Sequence, residues 1–240
     1  VLSMQDGPAA PDVAALLEPY ADDLPPDTLQ GYALPVSDGS ARNRQGLRAA
    51  TKLLQEAGFS AEGGTLRGPD GTPFTFDILL PKGSTENIAI ADIYIGALKR
   101  LGITAQIETV DDAQFLSRTN SFDFDMTFFR RALSLSPGNE QRYYWGSEAA
   151  TAEGSRNLPG IHSPAVDAMI DAMLKAEGQD QFVAATRALD RVLTAGAYVI
   201  PFWQYAEGRI AHIKEMKHPD VIPIYGDGPN YMPEVWWWEE

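Results

Sequence analysis

Two acidic residues on one predicted strand are the first groups whose spacing could support chemistry. Asp123 and Asp125 stand two apart in the alternating stretch FDFDMTFF, so both carboxylates point to the same side of the strand. A glycosidase or aspartic site needs such a carboxylate and a second one brought from elsewhere in the fold. The solvent-facing side of a half-buried strand explains the same pattern, and we favour that interpretation.

The histidines do not form a recognisable metal motif. His162, His212 and His218 are scattered, without an HExxH pattern or a close pair, and His212 alternates like a strand-face residue. The chain has no cysteine, which excludes thiolate catalysis and cysteine-based zinc sites. It also lacks a GxSxG elbow, a Walker A loop and a GxGxxG turn. We therefore predict no metal, no cofactor and no catalytic residue.

A crowded stretch, SLSPGNEQRYYWGS, follows the predicted strand and begins at Ser134. Pro137 and Gly138 predict a turn at the carboxyl end of the strand, where α/β folds tend to hold ligands. Ser136 is the predicted cap of a helix whose first position is Pro137. The four residues from Arg142 to Trp145 then point in different directions, so we expect some to anchor the helix and others to face outward.

Two arginines, Arg130 and Arg131, add positive charge just before this stretch. Such a cluster suits an anionic group of a ligand, but salt bridges to neighbouring acids would explain it equally well. Both interpretations stay open at this point.

The acidic composition of the chain argues against a nucleic-acid partner. The chain of 240 residues carries 33 acidic and 19 basic residues, a net charge of -14. A phosphate backbone is bound by neutralising it, so we predict no nucleic-acid partner. No window approaches the roughly 18 to 20 apolar residues that span a bilayer.

The order of predicted elements indicates an α/β fold. Strand, helix, strand, helix and strand follow one another from FTFDILL to FDFDMTFF, with a largely apolar helix over 87–101. This favours a mixed sheet with flanking helices. A helical hairpin is predicted between Ser163 and Gly196, followed by candidate strands YVIPFWQY and RIAHI. The prolines of residues 1–40 predict an extended segment whose only helical hint is Val13 to Leu17.

Several of these stretches together resemble a known family. The chain from about Leu16 to the terminal tryptophans is similar to the carboxyl-terminal half of family 5 solute-binding proteins, the extracytoplasmic receptors of peptide and nickel ABC importers. The phrase LSLSPGNEQ with YWGS resembles the branch that serves oligopeptide and microcin C uptake. The other matching stretches are NRQGLRAATKLLQEAGF, DGTPFTFDILLP, IADIYIGALKRLGITAQIETVDDAQF, FDFDMTFF and IHSPAVDAMIDAML.

The resemblance implies a fold and a set of partners. The chain would be the second lobe of a type II periplasmic-binding-protein-like fold that closes around a peptide or peptide-like ligand and meets a membrane permease. Residues 1–40 would be a crossing segment, 41–215 the ligand-binding lobe, and 216–240 a tail returning toward a missing amino-terminal lobe. The location would be periplasmic.

The resemblance also directs attention to one loop. Typical peptide binders carry an aspartate there that pairs with the amino terminus of the ligand, whereas this chain has RRALSLSPGNE, with Glu140 as the nearest acid. The predicted ligand contacts are Arg130, Arg131, Ser134, Ser136, Asn139, Glu140, Arg142, Tyr143 and Trp203.

Two alternative functions stay open. A small α/β hydrolase could use Asp123, Asp125 or Glu140 with a histidine. A protein-interaction domain would explain the tryptophans at 236–238.

Overall fold

Short helices and three small sheets make up the computed structural model, which describes residues 7–36, 39–40, 42–130, 136–201, 210–221 and 232–239. Helices α1 to α8 span Pro11–Leu17, Arg44–Glu56, Thr85–Lys99, Asp112–Asn120, Glu140–Trp145, Pro164–Leu174, Gln179–Ala195 and Met232–Val235. Strands β1 to β7 span Ser60–Glu62, Thr65–Arg67, Thr75–Pro81, Thr104–Val110, Met126–Thr127, Met216–Lys217 and Trp237–Trp238. Among these residues no helix has both the length and the apolar character needed to cross a bilayer.

A parallel sheet of three strands confirms the predicted α/β class. Its order is β4-β3-β5, with Ile78 of β3 in register with Ile107 of β4 and Met126 of β5. Helices α3 and α4 connect these strands in the predicted alternation. The antiparallel pairings lie in separate sheets, β1 with β2 and β6 with β7.

Helix α3 packs on one face of this sheet through Ile78, Leu80 and Ala91. The helix is less buried than its nearly continuous apolar sequence predicts, because Ile93 is 76% exposed. A small sheet covers only one side of a helix, so apolar residues on the other side stay outside this core. On the opposite face of β3, Leu79 is fully buried near α4.

A second core joins the start of the chain to the predicted helical hairpin, which the structure confirms as α6 and α7. Val13 and Leu17 of α1 are buried against these helices. Residues 11–23 therefore form a helix and a 3-10 turn. The helical hint at Val13 to Leu17 is confirmed, and the predicted extended conformation is wrong over the rest of this range. Helix α1 forms because two apolar residues four apart give it a side that the hairpin can bury.

The chain divides into two compact units, residues 1–199 and 200–240. The domain boundaries placed at residues 41 and 216 stay predictions. In the second unit, β6 and β7 pair antiparallel, with Met216 opposite Trp238. The described parts of the candidate strands, 198–201 and 210–213, are not strands, so these two predictions are wrong there. Neither segment has a neighbouring strand to pair with among the described residues. A sequence of alternating apolar and polar residues forms a strand only where such a partner is present.

Candidate ligand-binding site

Strand β5 forms one edge of the parallel sheet. It pairs with β3, and within the described ranges no strand lies on its other side. Thr127 reinforces the pairing, because its Oγ1 donates a hydrogen bond to the carbonyl of Leu79 at 2.9 Å. The predicted alternation fails beyond Met126, since Phe128 and Phe129 are 38% and 41% exposed. The strand ends at Thr127, so its apolar continuation is left at the surface.

Arg130 is exposed directly after these phenylalanines. It forms no ion pair with any residue that the structure describes. The salt-bridge interpretation therefore has no support for Arg130 within this part of the chain. Arg131 and Ser134 lie outside the described residues, as does Trp203, and their roles stay predictions.

The turn after this segment differs from its prediction. Helix α5 begins at Glu140 with Asn139 as its N-cap residue, so Ser136 is not the cap and Pro137 is not the first helical position. The carboxylate of Glu140 accepts hydrogen bonds from the Gly138 N–H at 2.9 Å and from Gln141 Nε2 at 3.0 Å. If Ser136 capped a helix that began at Pro137, its hydroxyl would accept the Gly138 N–H. The Glu140 carboxylate accepts this N–H instead, so residues 136–138 form a turn before the helix. Ser136 is exposed at the start of this turn.

The residues of α5 divide between core and surface, as predicted. Arg142 and Tyr143 are exposed, whereas Tyr144 and Trp145 are half-buried. Tyr144 lies against Phe129 with ring centroids 6.2 Å apart, and Trp145 packs on the core of α1, α6 and α7. The helix therefore connects the edge of the sheet to the helical core.

An ion-pair triad joins α5 to α6. Asp171 accepts hydrogen bonds from Arg142 Nη2 and, at 2.9 Å, from Lys175 Nζ. The hydrogen bond from Lys175, followed by that from Arg142, lowers the pKa of the Asp171 carboxyl below its usual value, against the opposing effect of burial. Arg142 is thus held by a carboxylate, and a ligand that uses it would compete with Asp171.

A groove of about 890 Å³ lies beside the triad. Three predicted contacts, Asn139, Arg142 and Tyr143, line it together, while Glu140 is not among its lining residues. Sequence reasoning missed Tyr20, Asp171 and Lys175, which also line the groove. The spacing of Asp171 and Lys175 is a readable i,i+4 pair, but nothing in the sequence places Tyr20 opposite α5.

Asn157 organises the loop that forms one wall of the groove. It is completely buried, and its Nδ2 donates hydrogen bonds to the carbonyls of Gly146 at 3.0 Å and Ile161 at 2.8 Å. Its Oδ1 accepts the Ile161 N–H at 2.9 Å. One side chain therefore ties the end of α5 to the segment that leads into α6.

The titration of Asp171 provides a test of the triad. We expect Lys175→Gln to raise the pKa of this carboxyl more than Arg142→Gln does, because the Lys175 hydrogen bond is the larger cause. A lowered pKa in the folded state stabilises the fold above the unfolded-state pKa, and this contribution is lost as the pH falls through the folded-state value. Carboxyl NMR titration measures the pKa directly.

Asp70 is the internal control for that titration. Its pKa is lowered by hydrogen bonds from Thr72, so neither substitution should move it. Added salt should weaken the shift of Asp171, because the triad is substantially exposed. An unchanged Asp171 titration in both variants would show that the triad does not exist in solution.

The acidic pair occupies a different, polar hollow of about 350 Å³. Asp123 pairs with Arg118 Nε at 3.0 Å, and Asp125 accepts the backbone N–H of Asp77 at 2.9 Å. No histidine lines this hollow, and the described residues contain no group of three or more potential metal ligands. Both carboxylates thus hold structure at the start of β5, and Glu140 holds its own turn, so the hydrolase alternative gains no support.

A family model covers most of this architecture. Residues 8–153 match the family described as bacterial extracellular solute-binding proteins, family 5 Middle. The matched range contains the edge of β5 and all of α5.

Two curated relatives from Agrobacterium fabrum match nearly the whole chain. The Probable peptide-binding protein YejA is 41% identical over 224 residues, which cover 92% of this chain and 36% of the relative. The Peptidoglycan-binding protein YepA is 38% identical over 224 residues, which cover 93% of this chain and 35% of the relative. The chain thus spans about a third of the length of these relatives.

A solved structure shares the fold. The oligopeptide-binding protein AppA from Bacillus subtilis, in complex with a nonapeptide, superimposes with a TM-score of 0.60 at 16% identity, over 100% of this chain and 46% of AppA. The family match, the identities and the shared fold agree with the resemblance seen in the sequence. The chain belongs to the family 5 bacterial extracellular solute-binding proteins.

Proposed function

We propose that the chain is one lobe of the substrate-binding component of an ABC importer, which captures peptides or peptide-like compounds in the periplasm and delivers them to a membrane permease. One observation carries the proposal. The family match spans β5 and the helix that follows it, so every proposed contact except Trp203 lies inside the matched range. The rest of the protein would include the amino-terminal lobe. That lobe would bind to this one and form the opposite wall of a cleft that closes around the ligand.

The edge of β5 suits an extended peptide. Backbone N–H and C=O groups at a sheet edge can pair with a peptide main chain, which gives affinity without demanding particular side chains. Phe128 and Phe129 would provide apolar area beside it, and Arg130 a donor for a carboxylate. The site would capture its ligand by binding and closure, without chemistry.

The proposed contacts are the residues predicted from the sequence. Two of them, Glu140 and Arg142, already have hydrogen-bond partners within the protein. These partners are Gly138 and Asp171, so a ligand must replace or share those bonds. Ligand contact is proposed for Arg130, Arg131, Ser134, Ser136, Asn139, Glu140, Arg142, Tyr143 and Trp203.

A peptidoglycan fragment is the second candidate ligand. YepA, named as peptidoglycan-binding, is nearly as similar to this chain as YejA. Such fragments contain peptide, so the same backbone pairing would serve them. Mass spectrometry of the compound that copurifies with the full-length protein from the periplasm separates the two, because a peptidoglycan fragment carries amino-sugar mass.

Arg130 offers the sharpest test in the full-length protein. We expect Arg130→Gln to lower the affinity for a ligand with a free carboxylate by about 10- to 100-fold. This is the cost of losing one charge-assisted hydrogen bond, roughly 1.5–3 kcal/mol. The corresponding amidated ligand should bind both proteins alike. Isothermal titration calorimetry provides the affinities.

Arg48→Gln is the matched control, because Arg48 is equally an exposed arginine but lies on α2. It should leave the affinity unchanged. An equal loss of affinity in both variants would mean that the arginines act through long-range electrostatic attraction and that Arg130 does not contact the ligand. A full-length protein that copurifies with no compound and binds no peptide would sink the proposed function.

A further inference from the structure

Two histidines that are separate in the sequence meet against one tryptophan in the second unit. The ring centroids of His212 and His218 are 5.5 Å apart, with an interplanar angle of 85°. Trp236 lies 5.0 Å from His212 and 4.9 Å from His218, again between ring centroids. The three rings therefore form one cluster, which brings together residues 210–218 and the segment around β7.

Hydrogen bonding determines which nitrogen of each imidazole is available. His212 Nδ1 lies 3.0 Å from the Ile213 carbonyl oxygen, and His218 Nδ1 lies 2.8 Å from the Pro219 carbonyl oxygen. A carbonyl oxygen can only accept, so each Nδ1 carries the proton and donates. In the neutral ring, Nε2 then has a free lone pair. A backbone carbonyl that fixes the tautomer in this way is the usual outer partner of a metal-binding histidine.

The spacing of the rings fits a shared metal ion. A metal–nitrogen bond of 2.0–2.1 Å places a ring centroid about 3.2 Å from the ion. Two such rings 5.5 Å apart subtend an angle of about 120° at an ion that both Nε2 atoms face. This angle lies between those of tetrahedral and linear coordination, and nearly perpendicular rings approach one ion without their planes colliding.

The indole of Trp236 adds a second, independent feature. Its Nε1 is buried and has no acceptor among the described residues. An indole N–H can only donate, and a buried donor without an acceptor is costly. An anionic oxygen ligand, such as hydroxide or a carboxylate, on a metal at the histidine pair would supply an acceptor.

We propose that His212 and His218 bind one divalent ion of the late first transition row, such as Cu²⁺, Ni²⁺ or Zn²⁺, with Trp236 against the site. Imidazole suits these ions better than Mg²⁺ or Ca²⁺, which prefer oxygen ligands. Within the part of the chain that the structure describes, no group of three or more potential ligands occurs, and the two histidines leave coordination positions open to small molecules such as water. The ion stabilises the second unit by joining 212 and 218 beside 236. This site is independent of the proposed peptide-binding function.

Titration of the untagged protein with each ion tests the proposal. We expect one Cu²⁺ per chain, bound more tightly than Ni²⁺ or Zn²⁺, as the general order of stability requires. His212→Asn or His218→Asn should each weaken binding at least as much as the loss of an outer partner does, about 10- to 100-fold. His162→Asn is the matched control, because His162 is exposed in the first unit, and it should bind as the unaltered protein does.

Spectroscopy of the unaltered protein covers the case in which a variant fails to fold. The electron paramagnetic resonance spectrum of the Cu²⁺ complex should show two imidazole nitrogens. Absence of saturable binding by all three ions, a spectrum with no or one imidazole, or full affinity in the double variant His212→Asn/His218→Asn would overturn the proposal.

Discussion

Replacing Asn157 with alanine should lower the free energy of unfolding by about 3–5 kcal/mol. The side chain is completely buried and makes three hydrogen bonds to the backbone of Gly146 and Ile161, which are buried as well. Alanine would leave the C=O and the N–H of Ile161 without these partners, and each orphaned buried group costs about 1–3 kcal/mol. The Gly146 carbonyl would lose one of two donors and keep the Ala149 N–H at 3.0 Å. Urea unfolding followed by far-UV circular dichroism measures the loss.

Asn139→Ala provides a matched control for the same chemical change. Asn139 is exposed at the N-cap of α5, and its side chain makes no capping hydrogen bond. Its substitution should change stability by less than about 0.5 kcal/mol, as at other surface positions. A loss below about 1.5 kcal/mol for Asn157→Ala would mean that water or a rearranged loop satisfies these backbone groups. Because the loop walls the groove, the same variant should also loosen the position of Tyr143, whose hydroxyl donates to the Gly154 carbonyl at 2.6 Å.

Arg191→Met should release the start of the chain from the helical core. Arg191 is 1% exposed on α7, and its guanidinium donates hydrogen bonds to the carbonyls of Thr28 at 3.0 Å, Leu29 at 3.3 Å and Gly7. Methionine keeps much of the apolar stem but offers no donor, so the carbonyls of the buried Thr28 and the half-buried Gly7 lose this donor. The Leu29 carbonyl keeps the Ala9 N–H. We expect the free energy of unfolding to fall by about 2–4 kcal/mol. This figure includes a partial compensation, because the variant no longer buries a charge.

Hydrogen exchange shows where that loss occurs. The amide of Ala9 donates to the Leu29 carbonyl at 2.8 Å, so its exchange should accelerate in Arg191→Met before the amides of α3 do. Arg187→Met is the matched control, one turn earlier on the same helix. Arg187 Nε is buried without a hydrogen-bond partner among the described residues, so removing it should be neutral or slightly stabilising. Equal effects of the two substitutions would contradict a holding role for Arg191.

Most of the regular structure could be read from local patterns. Ser163, the predicted start of the helical hairpin, caps α6 with its side chain, and Gly102, just after the predicted helix 87–101, follows α3 with a φ of +82°. These signals work because caps, turns and apolar periodicity depend on residues a few positions apart. The errors arose where a partner from elsewhere decides, as in the 3-10 turn Glu18–Asp23 and the short span of β5.

The candidate site was only partly predictable for the same reason. Asn139, Arg142 and Tyr143 were found because they follow a strand end, and the structure places them along one groove. Tyr20 reaches that groove from a segment more than a hundred positions away in the sequence, so no spacing rule could find it. Arg142, predicted as a ligand contact, is paired with Asp171, a partner that only the packing of α5 on α6 supplies.

By itself, the sequence determined the α/β class, the family resemblance and the absence of cysteine chemistry, because composition and local periodicity carry that information. The tertiary structure decided which polar groups meet. It set Asn157 between two loop ends, buried Arg191 against the start of the chain, and brought His212 and His218 to one tryptophan. The Arg191 contacts join residues more than 160 positions apart, and even the shorter-range contacts depend on loop conformations that no local pattern specifies. All of them form only when apolar burial has folded the backbone that carries them.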